Sequence, residues 1–304
     1  MEKFKSGFVS IIGRTNVGKS TLLNSLVGEK VAITTYKSQT TRTIIRAIVN
    51  RKNSQIIFID TPGIHKSKTK LGNTMIENAW EAIPNTDITL FLVDGTYGKI
   101  GKGDKVVLDK IKELNKKTIL VINKIDLMKK EEIIKTIEMY KDEYDFISIV
   151  PVSAEKQKNI EELLIEIEKN IPEGPQYYDI DEYTDQTARQ MVEEVIREKA
   201  LKLLDEEVPH GIYIEVEKMK LKKTSKGEDI YNTEATIYCL KKSHKGIIIG
   251  KNGDMLKKIA TYARQDLEKM LQTKINLKVW VKVSQNWQDN PSIVKRFENK
   301  WTNK

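Results

Sequence analysis

The sequence predicts an α/β fold for its first half, a phosphate-loop domain on a mostly parallel sheet, followed by a smaller α+β domain. Three observations carry this. Strand-like and helix-like segments alternate up to about residue 172. A G-x-x-x-x-G-K-S loop, Gly13 to Ser20, lies between the first strand-like and first helix-like runs. A second pattern, helix, strand, strand, helix, helix, strand, begins past a proline-interrupted stretch at 173–184.

In chain order, the first strand is the apolar run Phe8 to Ile12, and Leu22, Leu23, Leu26 and Val27 then recur at helical spacing until Gly28 stops the helix. Further strands read as Thr43–Asn50, Gln55–Asp60, Ile88–Asp94, Thr118–Asn123 and Phe146–Pro151, with helices between them on both faces. Two prolines and a glycine after Ile171 mark the linker, so the domains are expected at 1–172 and 185–304. In the second, Met191, Val195, Ile196, Lys199 and Leu203 outline a helix, and Ile212–Leu221 and Thr233–Leu240 alternate as strands around a polar turn, Lys222–Asn232. A short helix over Ser243–Ile249, a longer one over Asn252–Met270 and a strand over Ile275–Val283 complete it.

Length and composition suit this plan. The 304 residues make about two domains of ordinary size, each able to bury a core. The single cysteine, Cys239, sits in an apolar run and excludes an internal disulfide; a buried structural thiol and a reducing compartment are the expectation. No apolar run approaches the roughly 18 residues of a membrane span, and the start Met1-Glu2-Lys3-Phe4-Lys5-Ser6 is too short and charged for a signal peptide. A cytoplasmic location is expected. The net charge of +9 is unevenly placed: residues 241–304 hold 15 Lys/Arg and 5 Asp/Glu, against 37 and 38 before them. A nucleic-acid or anionic-membrane surface is thus expected on the second half alone.

The glycine loop implies a nucleoside triphosphate. Its glycines let backbone N–H groups close around phosphates at a helix N-terminus, Lys19 reaches the β and γ oxygens, and the Ser20 hydroxyl suits Mg²⁺. Asn123-Lys124-Ile125-Asp126 follows a strand whose end faces the same edge of the sheet. A carboxylate at Asp126 can accept from both adjacent N–H donors of guanine, where adenine offers a lone pair; such a bond discriminates by roughly 10⁴ to 10⁵. Lys124 is expected to stack on the ring and Asn123 to tie this turn to the phosphate loop. Ser153-Ala154 could present an N–H to guanine O6.

Asp60-Thr61-Pro62-Gly63 ends another strand, where the aspartate can reach Mg²⁺ and the Gly63 N–H the γ-phosphate. The polar stretch Thr34–Arg42 could add a hydroxyl to the metal from Thr41, with Thr40 as fallback. The nucleotide set is therefore Gly13, Arg14, Thr15, Asn16, Val17, Gly18, Lys19, Ser20, Thr21, Asp60, Thr61, Pro62, Gly63, Asn123, Lys124, Asp126, Ser153 and Ala154. Ser20, Thr41 and Asp60 are the expected Mg²⁺ residues.

These elements, in this order, are similar to the translation-factor-like class of GTPases, which implies hydrolysis of GTP to GDP and phosphate by an in-line water. Where small GTPases commonly carry a glutamine, Ile64 stands, and isoleucine cannot orient water; His65 beside it reads as a solvent-facing loop residue. Asn16 is the alternative: in related GTPases an asparagine here helps hold K⁺, which implies potassium-stimulated hydrolysis. Lys19, Asn16, Thr41 and Gly63 are the expected catalytic set.

Ile249-Gly250-Lys251-Asn252-Gly253 carries G-x-x-G between two helical segments, with Lys257 one turn on, and resembles the loop of a bacterial-type KH domain, which clamps about four nucleotides of single strand. A GTPase domain followed by a KH domain resembles the Era family, as do Ile33–Arg42, Ile196-Arg197-Glu198-Lys199 and Trp280-Val281-Lys282-Val283 followed by Trp287. The resemblance implies binding near the 3′ end of small-subunit ribosomal RNA, a role in small-subunit maturation, a monomer, and peripheral contact with the membrane. The tail from Asn290 departs from the family pattern. Trp287 and Trp301 either stack on bases or pack on the domain core. Two other readings stand beside this one: an RNA-binding assembly factor that holds GTP with little turnover, and a phosphotransferase.

Overall fold

The computed structural model describes residues 3–37, 40–64 and 67–298 and divides into two compact units. One runs through Asp185 and takes in the stretch from Arg296; the other is Gln186–Lys295.

In the first unit six strands form one sheet: β1 (Lys5–Ile12), β2 (Ile45–Asn50), β3 (Ser54–Asp60), β4 (Ile88–Asp94), β5 (Thr118–Asn123) and β6 (Ser148–Pro151), in the order β2-β3-β1-β4-β5-β6. All neighbouring pairs are parallel except β2 with β3, which form a hairpin closed where Arg51 N donates to Ser54 O at 2.8 Å. The helices are α1 (Lys19–Val27), α2 (Lys70–Ala82), α3 (Lys102–Leu114), α4 (Lys130–Lys141) and α5 (Ile160–Asn170).

Alternation along β1 explains the three-layer arrangement. Val9 and Ile11 point to one face, where Leu22, Leu23 and Leu26 of α1 and Leu163, Leu164 and Ile167 of α5 pack on them. Ile12 points to the other, with Ala79 of α2, Val107, Leu108 and Ile111 of α3 and Tyr140 of α4. Each fully buried aliphatic side chain stabilises this sandwich by about 1.5–3 kcal/mol. The parallel strands end together at one edge, so the loops after β1, β3, β4, β5 and β6 share it.

The stretch read as a linker lies against this unit. Gln55 Nε2 donates to Tyr178 O (2.9 Å), Ile48 N to Tyr183 O (3.0 Å) and Thr184 Oγ1 to Arg46 O (2.8 Å), and Arg46 pairs with Asp185 at 2.8 Å. Its two prolines and glycine do interrupt helix, but they leave an extended strap along β2.

The second unit contains α6 (Ala188–Leu203), β7 (Ile212–Lys223), β8 (Asp229–Cys239), α7 (Lys242–Ile249), α8 (Asp254–Met270) and β9 (Lys274–Val283). The sheet order is β7-β8-β9, with β7 antiparallel and β9 parallel to β8. One face is covered by Val192, Val195 and Ile196 of α6 and Ile259, Ala263 and Leu267 of α8, and Cys239 is buried in that core. The α6 N-terminus is capped by Thr187, which accepts from Gln190 N at 3.3 Å. The hairpin turn is shorter than the polar run Lys222–Asn232 suggests. Both strands extend into it and leave Thr224 N bonded to Glu228 O at 2.8 Å, because ladder bonds need no apolar side chains.

Candidate functional site

The phosphate loop turns at backbone angles that its sequence permits. Gly18 has φ 101°, and a Cβ there would stand 2.3 Å from Asn123 Nδ2, so only glycine fits against the base-side loop. Asn16 takes the left-handed region with φ 64° and donates from Nδ2 to Tyr36 O at 3.2 Å. Lys19 opens α1 and folds back, its Nζ 3.2 Å from Gly13 O and 3.0 Å from Arg14 O. Burial lowers the Lys19 ammonium to about 8, with Asp60 opposing that shift.

Ser20, Thr41 and Asp60 come together although 40 residues separate the first from the last. Ser20 Oγ donates to Asp60 Oδ2 at 2.9 Å, Thr41 Oγ1 donates to the same oxygen at 3.2 Å, and the two hydroxyls are 2.8 Å apart. Thr40 is turned elsewhere, its hydroxyl donating to Lys37 O at 2.7 Å. Asp60 is fully buried and its Oδ1 has no hydrogen-bond partner; burial pushes its carboxyl up to about 6, against the pull of Lys19. Two hydroxyls and a carboxylate with a spare buried oxygen fit a hard divalent ion such as Mg²⁺, and Ser20, Thr41 and Asp60 are the residues that would hold it.

Thr61 is anchored by Oγ1 donating to Ile11 O at 2.9 Å, and Pro62 leads into Gly63, where a Cβ would meet Thr15 Cγ2 at 2.8 Å. Ile64 is drawn into the core with Ile12 and Phe91, its N–H donating to Gly13 O at 3.2 Å. It braces the phosphate loop rather than facing the cleft, which Asn16, Lys19, Ser20, Thr21, Thr41 and Gly63 line. His65 lies outside the described residues.

The base-side residues form one hydrogen-bonded set. Asn123 Nδ2 donates to Val17 O at 2.9 Å and its Oδ1 accepts from Ala154 N at 3.0 Å, so a single buried amide joins three loops. Ser153 Oγ donates to Asp126 Oδ1 at 2.6 Å. Lys124, left-handed at φ 68°, sends Nζ to Asp94 Oδ2 at 2.7 Å.

Asp94 is a residue the sequence reading passed over. Its signal was its place at the end of β4, in register with Asn123. Asp104 of α3 was missed too: the Arg14 guanidinium turns away from the cleft, with Nε 3.4 Å from Asp104 Oδ1, and lies over Tyr97 at 4.6 Å. Arg14 thus serves the loop through its backbone.

In the second unit the G-x-x-G loop joins α7 to α8. Gly250 has φ 75° and a Cβ there would stand 2.7 Å from Met255 Cβ; Asn252 and Gly253 follow at φ 55° and 84°. Two left-handed residues delay α8 to Asp254, two residues later than the sequence suggests. Lys251, Asn252 and Lys257 are exposed, while Ile249 packs against the core. Trp287 is fully buried, its Nε1 donating to Gly211 O at 3.0 Å and its ring 4.7 Å from Tyr213, so it packs and stacks on no base. Trp301 lies outside the described residues.

Residues 8–124 match a family model described as 50S ribosome-binding GTPase, and 207–288 match one described as KH domain. GTPase Era of Clostridium kluyveri is 52% identical over 293 residues, covering 96% of this chain and 98% of that protein. This chain belongs to the Era family. GTPase Era of Clostridium tetani is 51% identical over 97% of this chain and 98% of its own. Among solved structures, Era in complex with MgGDPNP and nucleotides 1506–1542 of 16S ribosomal RNA has a TM-score of 0.92 at 38% identity, covering 97% of this chain and 98% of that one. A tyrosine-to-alanine variant of Aquifex aeolicus Era bound to GDP and tetrafluoroaluminate has a TM-score of 0.91 at 39% identity, covering 97% and 99%. As a member of the Era family the chain is a GTPase, with a phosphate-loop domain on a mostly parallel sheet and a C-terminal KH domain.

Proposed function

We propose that this GTPase binds single-stranded RNA at the 3′ end of the small-subunit ribosomal RNA through Ile249, Gly250, Lys251, Asn252, Gly253 and Lys257, and acts in small-subunit assembly. The observation that carries this is the G-x-x-G turn itself: its left-handed glycines bring bare backbone to the surface beside Lys251, at the N-terminus of the 17-residue α8. Likeness over nearly the full length to an Era in complex with nucleotides 1506–1542 of 16S ribosomal RNA supports it. GTP and GDP occupy the cleft over Gly13–Thr21, with Asn123, Lys124, Asp126, Ser153 and Ala154 on the base, Asp60, Thr61, Pro62 and Gly63 at the γ-phosphate, and Mg²⁺ on Ser20, Thr41 and Asp60. GTP acts on the stretches Thr34–Arg42 and Asp60 to about Pro84, of which residues 38, 39, 65 and 66 lie outside the described residues, and hydrolysis resets RNA binding. The protein acts as a cytoplasmic monomer, and its basic second half suits peripheral contact with an anionic membrane.

Catalytic help comes from a cation. The Asn16 Nδ2 is engaged by Tyr36 O, which leaves its oxygen as a ligand for K⁺ near the phosphates. Hydrolysis is expected to be faster in KCl than in NaCl, and Asn16→Ala to erase the difference; equal rates in both salts sink the idea. The RNA reading is tested by anisotropy of a labelled 3′-end fragment with GDP and with a non-hydrolysable GTP analogue. Equal affinity in the two states refutes the switch, and no binding in either refutes the RNA assignment.

A further inference from the structure

Helices cover only one face of the second unit's sheet. On the other face, strand alternation and register place three side chains in each cross-strand row: Lys222–Ile230–Lys274, Lys220–Asn232–Asn276, Lys218–Glu234–Lys278 and, past the bulge at Glu217, Glu215–Thr236–Trp280. The far end is closed by Trp287 on Tyr213. The end near the hairpin turn is open and basic, with five lysines against one glutamate in its first three rows.

Some of that charge is neutralised locally. Lys218 pairs with Glu234 at 3.2 Å, Lys274 with Glu228 at 2.6 Å and Lys282 with Glu217 at 3.0 Å. Lys220, Lys222 and Lys278 have no carboxylate partner among the described residues, and all three are exposed. Between them Asn276 Nδ2 donates to Asn232 Oδ1 at 2.9 Å, which leaves one amide N–H₂ and one amide oxygen for an outside partner. Trp280, at the edge of the patch, is 43% exposed.

We propose that this face is a second RNA-contact surface, separate from the G-x-x-G loop, where Lys220, Lys222 and Lys278 meet phosphates of a single-stranded segment and Trp280 stacks on one of its bases. Unpaired lysines supply attraction along a backbone, an exposed indole supplies a platform that any base can use, and the amide pair offers one donor and one acceptor to a base edge. An anionic bilayer would use the lysines equally well, but insertion needs a continuous apolar face, and here Trp280 and the half-buried Ile230 are separated by rows of polar side chains. The inference builds on RNA binding by the Gly250–Gly253 loop.

Full-length protein is titrated with a labelled 20-nucleotide single-stranded RNA and with a six-nucleotide RNA that only fills the loop's clamp of about four. Trp280→Ala is expected to weaken the long RNA about tenfold and leave the short one unchanged. Lys220→Gln, Lys222→Gln and Lys278→Gln together are expected to reduce the salt slope of long-RNA binding by about 2. Retained GTP turnover and melting temperature show that the variants fold. Equal losses on both lengths, or no loss on either, overturn the proposal, as does a defect seen only with phosphatidylglycerol vesicles. Lys251→Gln separates the two surfaces: if it alters neither RNA while Trp280→Ala still weakens the long one, the loop assignment fails and the sheet face stands.

Discussion

Replacing Asn123 with alanine removes two bonds at once. Val17 O loses its donor and Ala154 N its acceptor, in a site where Asn123 is only 3% exposed. Each buried polar group left without a partner costs about 1–3 kcal/mol, so the pair costs about 4 kcal/mol. For a unit of this size that corresponds to a melting shift of about 8–16 °C. The same change unhooks the phosphate loop from the base-side loops, so GDP affinity is expected to fall by at least about tenfold, or 1.4 kcal/mol. Asn123→Asp is the sharper comparison. It keeps the acceptor for Ala154 N but sets a carboxylate against Val17 O, so it is expected to be no better than alanine at neutral pH. Scanning calorimetry of the full chain, with the nucleotide-sensitive transition taken as the first unit, and titration of a fluorescent GDP analogue measure both effects. A melting point within about 1 °C of the parent, together with unchanged GDP affinity, would refute the claim that this amide joins the loops.

Substitutions at three other residues have expected outcomes. Thr41→Val raises the Mg²⁺ concentration needed for half-maximal hydrolysis while Thr40→Val does not, because only Thr41 shares Asp60 Oδ2 with Ser20. Asp94→Asn releases Lys124 and weakens guanine-nucleotide binding about fivefold, a figure kept small for a part-exposed pair. Burial pushes the Asp94 carboxyl up, but hydrogen bonds from Lys124 and Thr96 outweigh it and hold the group below its ordinary value. Its contribution to stability is therefore present above about pH 4 and lost as pH falls through the folded value, so melting curves of parent and Asp94→Asn should converge in acid. Gly250→Ala sets a Cβ 2.7 Å from Met255 Cβ at φ 75° and ψ 177°, which strains the turn by about 1–3 kcal/mol and should weaken RNA binding with GTP turnover intact.

The strands of the first unit were legible because burial on both faces makes them continuous apolar runs, and β4 and β5 fall where the sequence puts them. That the glycine loop and Asn123 meet was legible through the sheet edge to which β1 and β5 deliver them, and Thr41 was singled out from the polar stretch Thr34–Arg42 before β2. Partners chosen by side-chain direction were not: nothing in Arg14 announces Asp104, and nothing in Lys124 announces Asp94. Proline and glycine told where helix stops between 172 and 185, but not that the chain would lie along β2, since that depends on scattered partners such as Gln55 of β3, whose amide takes bonds from Tyr177 and Tyr178 and gives one back, and Arg46, which meets Thr184 and Asp185.

That strap alters where the first unit can be cut. β2 is the outermost strand of its sheet, and an edge strand carries a row of N–H and C=O groups ready to pair with another chain. Residues 177–185 occupy two of those groups, the Ile48 N–H and the Arg46 C=O, and pin Arg46 to Asp185. A fragment ending at Ile171, at the end of the last helix, would keep all its helices and strands but bare that edge and self-associate, whereas one ending at Asp185 would carry its own cover.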